Sequence, residues 1–246
     1  MSPYVLMSAV WVVAVFTAWR LRGWRPATTI GALAWLPLIA YFGIEVIVGH
    51  ATTEPYDPLL QPMSDLGVTA CGVNKYPLAE QALCSPLHMV MNWTMAISGT
   101  LIAAGALLLR SRFPLGRRVT AATWLLVVFG VSNTLPGAIP ADLGFTWHVI
   151  TSIPGMVVQV PALFLFGRAL WPDNPKLAVW SHACAGIAAL SIALLIVQSM
   201  FELPGGLLQR VLYGVVFAWC SVVAVAVLRG SRQPLTADTT AAPGVG

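Results

Sequence analysis

Charge is what this chain has least of. Only 9% of its 246 residues are Asp, Glu, Lys or Arg, and its mean hydropathy is +0.80. Soluble domains run at roughly 25% charged residues, so a soluble globular fold is excluded. No polar stretch is long enough to make a separate soluble domain, and no internal repeat is visible. The basic residues form no patch of their own but flank apolar segments. The net charge of +4 therefore points to a membrane and not to nucleic acid.

What remains is a series of apolar runs of the length that crosses a bilayer, about 20 residues each. Seven spans are expected: Tyr4–Trp19, Thr28–Gly49, Leu87–Leu109, Val119–Ile139, Phe145–Phe166, Ala178–Met200 and Leu207–Leu228. The fold class is an all-α polytopic transmembrane bundle, one domain over residues 1–232, with a disordered cytoplasmic tail at 233–246. The first run is short, and a cleaved signal peptide competes for it. Signal peptides carry positive charge before the apolar run and small residues at the cut. Here Arg20 and Arg22 follow the run and no A-x-A precedes them, so it reads as a retained helix.

The few charges sort by side. Of 13 Lys and Arg, 11 fall in alternate connections: Arg20, Arg22, Arg25, Arg110, Arg112, Arg117, Arg118, Arg168, Lys176, Arg229 and Arg232. Lys75 and Arg210 are the exceptions. Cytoplasmic loops retain positive charge, which places the amino terminus outside and the carboxyl terminus inside a multi-pass protein of the cell membrane. Glu45, His50, Glu54, Asp57, Asp65, Glu80, His88, Asp142, His148 and Glu202 all map to the opposite, outer side. Insertion does not account for that second grouping, so it marks the candidate site.

The outer side also carries the only long connection, His50–Pro86, rich in Pro and Gly and with apolar pairs such as Leu59–Leu60. Long loops are usually functional or disordered; this one is apolar enough to fold back as a lid. Cys71 and Cys84 both lie in it, in an oxidising compartment, and are expected to form a disulfide. The competing reading is two unpaired thiols. Cys184 and Cys220 lie within spans as apolar filler. Gly99 and Ala103, four apart in the third span, are a helix-packing pattern, and Trp19, Trp24, Trp147 and Trp171 are interface aromatics.

Four pieces of sequence meet at the outer helix ends. Tyr41 and Glu45 share a face of the second span, four apart. The loop brings Y-D-P-L-L-Q-P-M-S-D-L-G with Ser64 and Asp65. S-P-L-H-M-V-M-N opens the third span with His88 and Asn92 one turn apart, and I-P-A-D-L-G-F-T-W-H places Asp142 near His148. Asn133 and Ser132 in the fourth span, with Ser152 and Gln159 in the fifth, lie below. Each has a plainer reading. Asp142 and Ser85 would cap helices, Glu45 would snorkel outward, and Asn133 and Gln159 would join helices by hydrogen bonds. Ionisable groups within spans are costly and tend to face a cavity or one another, so their coincidence at one depth favours a shared site.

These segments, with F-G-V-S-N between them, resemble the bacterial and archaeal membrane family called domain of unknown function 998. The likeness runs over roughly Ala34 to Leu170 and is most specific at S-D-L-G, Ser64–Gly67. It implies a polytopic helical protein and marks Ser64, Asp65, His88, Asp142 and His148 as motif positions. A weaker likeness is to seven-helix membrane hydrolases of the alkaline ceramidase type, which gather Ser, Asp and His around zinc. That pattern wants a late His-x-x-x-His pair, and here His182 stands alone.

Two chemistries fit the outer residues. A divalent metal such as zinc would find ligands in His88, His148 and Asp65, or Asp142 in its place, with water in the open position. Without metal, Asp65, His88, Asp142, His148 and Glu45 would do acid–base work, with Tyr41, Ser64, Asn92, Asn133 and Gln159 binding substrate. Either describes an intramembrane enzyme acting on a lipid or isoprenoid-type substrate, by hydrolysis or by protonation leading to cyclisation. The alternatives are a small transporter or channel, and an interaction subunit that uses its outer loop. The concentration of polar groups at one end favours a one-sided pocket over a through-path.

The charge sorting makes a direct prediction about topology. A cysteine introduced at Ser111, in a background without Cys184 and Cys220, should react with an impermeant thiol reagent only after cells are broken open. Labelling from outside intact cells would reverse the assignment.

Overall fold

The computed structural model describes residues 2–79 and 81–230. Glu80 and the tail, read above as an outer acid and a disordered segment, lie outside the described residues. In lipid a backbone must satisfy its own N–H and C=O groups, so each apolar run folds as helix. Among the described residues seven helical segments are long and apolar enough to cross a membrane. They are α1 (Pro3–Leu21), a composite of α2 (Ala27–Trp35) and α3 (Tyr41–His50), α4 (His88–Leu108), α5 (Arg117–Ala138), α6 (Ala141–Leu170), α7 (Pro175–Phe201) and α8 (Gly205–Arg229). The protein is a polytopic helical bundle, and its helices follow the expected spans to within a few residues. Successive helices run antiparallel, so the Arg-rich connections gather at one end and the long 50–86 loop sits at the other.

The second span is not one helix. Pro37 lacks an amide hydrogen and its ring crowds the preceding turn, and the chain passes through a 3-10 segment, Leu36–Ala40, before resuming as α3. The break aims Trp35 inward. Its indole donates to the Ile102 carbonyl at 3.1 Å, and Gly105 leaves the room, since a Cβ there would lie 2.2 Å from the indole nitrogen. Ser221 of α8 donates to the Trp35 and Leu36 carbonyls. Trp35 then packs on Trp219, whose own indole donates to Ser181 at 2.8 Å. This aromatic core fills the arginine-side part of the bundle together with Phe129, Phe166 and Phe217.

Small residues seat α4 against α5. A Cβ on Gly99 would come 2.4 Å from the Gly130 carbonyl, and one on Gly130 would come 2.5 Å from the Gly99 carbonyl and 2.7 Å from Ala103. Backbone meets backbone along Gly99 and Ala103, which is how small-residue seams stabilise helix pairs in lipid. A similar contact sets α6 on α5, where a Cβ on Gly155 would meet Ser132 at 2.6 Å. Trp19, Trp24, Trp147 and Trp171 are all exposed, as interface residues are.

The long loop folds over the end of the bundle. A disulfide joins Cys71 to Cys84, next to an isolated β-bridge between Gly72 and Leu83. Val68, Tyr76, Ala79 and Leu83 bury a small core of their own against Ala141 and Phe145, with Tyr76 stacked on Phe145 at 5.4 Å. Gly72 has φ of +132°, a backbone that only glycine adopts without strain.

Because Gly130 faces a carbonyl and not a movable side chain, Gly130→Val should force α4 and α5 apart. Overpacking of this kind costs about 1–3 kcal/mol. The expected result is a lowered melting temperature in detergent, and a variant that melts with the parent would show that the seam is not tight.

Candidate functional site

The S-D-L-G sequence forms a 3-10 turn, Met63–Gly67, lying as a cap across the helix ends. Its backbone is pinned from every side. Tyr56 donates to the Pro62 carbonyl at 3.2 Å, the Met63 amide donates to Gln209 at 2.9 Å, Ser85 donates to Leu66 at 2.8 Å and Asn92 donates to Gly67 at 2.9 Å. The glycine is required by that last contact, because a Cβ would lie 2.3 Å from the Asn92 side chain.

Arg210, on the first turns of α8, is the hub of this end. Its Nη2 bonds Glu45 of α3 and the Tyr56 hydroxyl, each at 2.5 Å, and its Nη1 donates to the Pro58, Gln61 and Gly206 carbonyls. Both members of the ion pair are largely buried, at 13% and 6% exposure. Gly206 lets the loop lie directly on α8, since a Cβ would come 2.4 Å from the Gln61 carbonyl. One guanidinium thus ties α3, α8 and the first part of the loop together.

Asp65 and Asp142 also hold the loop. Asp65 accepts the Tyr76 hydroxyl on one oxygen and the Gln61 amide, at 3.4 Å, on the other. Burial pushes its carboxyl above the usual aspartate range, and these donors together with the Arg210 charge pull it partly back. Burial likewise pushes the Tyr56 and Tyr76 hydroxyls up, so both remain protonated donors. Asp142 Oδ2 accepts the Thr69 hydroxyl at 2.6 Å and the Thr69 and Ala70 amides at 3.0 and 3.2 Å.

Under the cap lies a cavity of about 40 Å³, lined by Tyr41, Met63, Ser64, Met95, Asn133, Pro136, His148, Ser152, Gln209 and Tyr213. On this measure a water needs roughly 10–15 Å³, so the space takes about three water-sized groups. The lining holds no Asp, Glu, Lys or Arg. His148 Nδ1 lies 2.7 Å from the Ile139 carbonyl. A carbonyl can only accept, so Nδ1 holds a hydrogen, and in the neutral ring Nε2 is then the acceptor. Asn133 donates to Met95 and Ser98 of α4. Among the described residues the hydroxyls of Tyr41, Tyr213 and Ser64 find no hydrogen-bond partner, although both tyrosines are over nine-tenths buried.

The expected convergence of Asp65, His88, Asp142 and His148 on one pocket is corrected by this geometry, because the cavity takes His148 alone. His88 is half-buried on α4 with Nδ1 3.0 Å from the Ser85 carbonyl, and Asp65 and Asp142 bond the loop. Among the described residues no three His, Cys, Asp or Glu side chains group as metal ligands, so His88, His148 and Asp65 are not assembled as a metal set. The plainer readings change too. Ser85 and Asp142 cap no helix but bond the loop, and Glu45 is paired instead of snorkelling. Asn92 holds the cap and is not part of the cavity lining. Gln159 is fully buried away from the lining, with its carbonyl oxygen unpartnered.

Arg210, Gln209, Tyr213 and Tyr76 were not among the expected site residues. Arg210 had a signal, since a basic residue within an apolar span on the acidic side requires a buried partner. The other three had none, being ordinary polar and aromatic residues in apolar or loop sequence.

The chain matches the family described as Protein of unknown function (DUF998) over residues 37–226 and belongs to that family. The match reaches beyond the S-D-L-G and His–Asp segments through α7 and most of α8, so it includes Arg210 and Tyr213. Among curated proteins and among solved structures nothing matches the chain.

Removing one partner of a buried ion pair leaves the other charge uncompensated, at a cost of about 3–5 kcal/mol. Arg210→Met should therefore destabilise the protein by that order, while Glu45→Leu with Arg210→Met should recover part of the loss. In both variants the loop should be cut faster near Leu59–Leu60 under limited proteolysis. Parent-like melting and cutting of Arg210→Met would remove Arg210 from its place as hub.

Proposed function

We propose that this protein acts on a lipid or isoprenoid-type amphiphile, holding its polar head in the capped cavity with His148 as the acid–base group. The observation that carries this reading is a buried cavity within an apolar bundle where the Tyr41, Tyr213 and Ser64 hydroxyls have no hydrogen-bond partner among the described residues, while Ser152 donates to the Val149 carbonyl. Buried polar groups are almost always hydrogen-bonded, so such a cavity is built to receive a polar guest. Glu45, Asp65 and Asp142 are engaged in holding the loop, which leaves His148 Nε2 as the basic atom of the lining. Ser64 and Ser152 supply hydroxyls beside it.

The charge sorting supports placing the cavity in the outer leaflet of the cell membrane, with Cys71–Cys84 bracing its lid. A through-path is less well supported. On the arginine side of the cavity the buried hydroxyls Thr123 and Ser181 bond carbonyls of their own helices, and aromatic residues fill the rest.

The test is turnover of a membrane lipid extract by the reconstituted protein, followed by mass spectrometry for consumed and newly formed species. General acid–base groups contribute about 10²–10⁴-fold, so His148→Gln should lower the turnover by about 100-fold or more. Full turnover by His148→Gln would refute the assignment of His148.

A further inference from the structure

Six elements surround the cavity, but they do not close it equally. α3, α4, α5 and the Met63–Gly67 cap make a continuous wall, sealed by the Gly99–Gly130 seam and by the Arg210 bonds. α6 and α8 both contribute lining, through Ser152 on one and Gln209 and Tyr213 on the other, yet they scarcely touch. α7 is the helix that bridges them. It is bedded in the bundle from Leu177 to Ser191, its last buried residue. Beyond Ser191 it continues through Phe201 with no buried position, and Ile196, Met200 and Phe201 are 75%, 76% and 66% exposed. No α7 residue lines the cavity. At the loop end the wall between α6 and α8 is therefore closed only by half-buried α7 side chains, Ile192, Leu194, Leu195, Val197 and Gln198, with none fully buried.

We infer that this seam is a lateral portal, and that the ligand is a long-chain amphiphile with a small uncharged hydroxyl head. The inference rests on the cavity being the working site, as proposed above, and adds the ligand's chemistry and its route. The head is small because the cavity takes only about three water-sized groups. It is uncharged because the lining holds no Asp, Glu, Lys or Arg, and the nearby arginine is already neutralised by Glu45. A phosphate or ammonium head would enter unpaired, which a water-poor interior strongly disfavours. It bears a hydroxyl because the cavity offers both roles: Tyr41, Tyr213 and Ser64 donate, and His148 Nε2 accepts from the head. The chain is long because the portal gives onto the bilayer, where the exposed apolar face of α7 lies alongside it.

The experiment uses the full chain in phosphatidylcholine vesicles with a diazirine-tagged long-chain alcohol and its phosphate ester as a matched pair. Photolysis, digestion and mass spectrometry locate the adducts. The alcohol should label α7 between Ile192 and Phe201 and the start of α8, with competition by untagged alcohol. The phosphate ester should label at least about tenfold less. Tyr41→Phe with Tyr213→Phe should weaken capture of the alcohol, and Ser64→Trp, which fills the cavity from its cap, should abolish it. Equal labelling by the two probes would overturn the uncharged-head inference and leave the cavity reading standing. Uncompeted labelling spread over all lipid-facing helices would overturn the portal. Specific α7 labelling that persists in both cavity variants would count against the cavity reading itself.

Discussion

A guanidinium on an apolar helix has to find both its counter-charge and its hydrogen-bond acceptors within the protein. In this bundle Arg210 finds all of them at once: a carboxylate on α3, a phenol and two carbonyls in the loop, and one carbonyl of its own helix. The arrangement orders the loop end. With Arg210 in place, residues 56–61 are fixed on α8, the Met63–Gly67 turn follows within reach of Gln209 and Asn92, and the cavity beneath acquires a roof. The buried pair is weak as a source of net stability. Its value lies in specifying one position for the loop among the many that a Pro- and Gly-rich segment would otherwise sample.

The same logic separates the carboxylates from the cavity. In an apolar surrounding an ionised group is tolerated when its oxygens find partners, and Glu45, Asp65 and Asp142 each bond a group that holds the loop: Arg210 for Glu45, Tyr76 and Gln61 for Asp65, Thr69 and Ala70 for Oδ2 of Asp142, whose Oδ1 is left without a partner among the described residues. What remains in the cavity is a histidine and neutral donors. On the function proposed here, such a lining would recognise hydroxyl or carbonyl groups and discriminate against charge.

Rigidity and openness are distributed unevenly around that cavity. The α4–α5 seam, backbone against backbone, and the Trp35–Trp219 core leave little freedom on one side. On the other, α7 is fully bedded only as far as Ser191, and its remaining turns have half-buried and exposed positions alone. Local contact density sets where a structure opens, and here the sparse region borders the cavity.

How much of this could be read from residues alone depends on the range of the forces involved. Helix number and length follow from the bilayer, because hydrophobic runs and backbone self-satisfaction are local demands. The Gly99–Ala103 seam, the Cys71–Cys84 pair and the lid-like loop were legible for the same reason, since each is a short pattern with one dominant physical outcome. The site was legible only in outline. Acids and histidines at one end announced polar business there, but sequence spacing could not say which of them would be consumed in holding the loop. Asp142 sits where a helix cap is expected, and only the folded loop brought Thr69 to it. His88 and His148 share a depth, yet each was drawn to a different backbone carbonyl. Tyr41 and Tyr213 look like core aromatics, and only the meeting of α3 with α8 beneath the cap left their hydroxyls facing a common space. Depth along the membrane normal is encoded in sequence position. Direction around the bundle axis is decided by packing, and it is direction that turned one histidine toward the cavity and three carboxylates into struts.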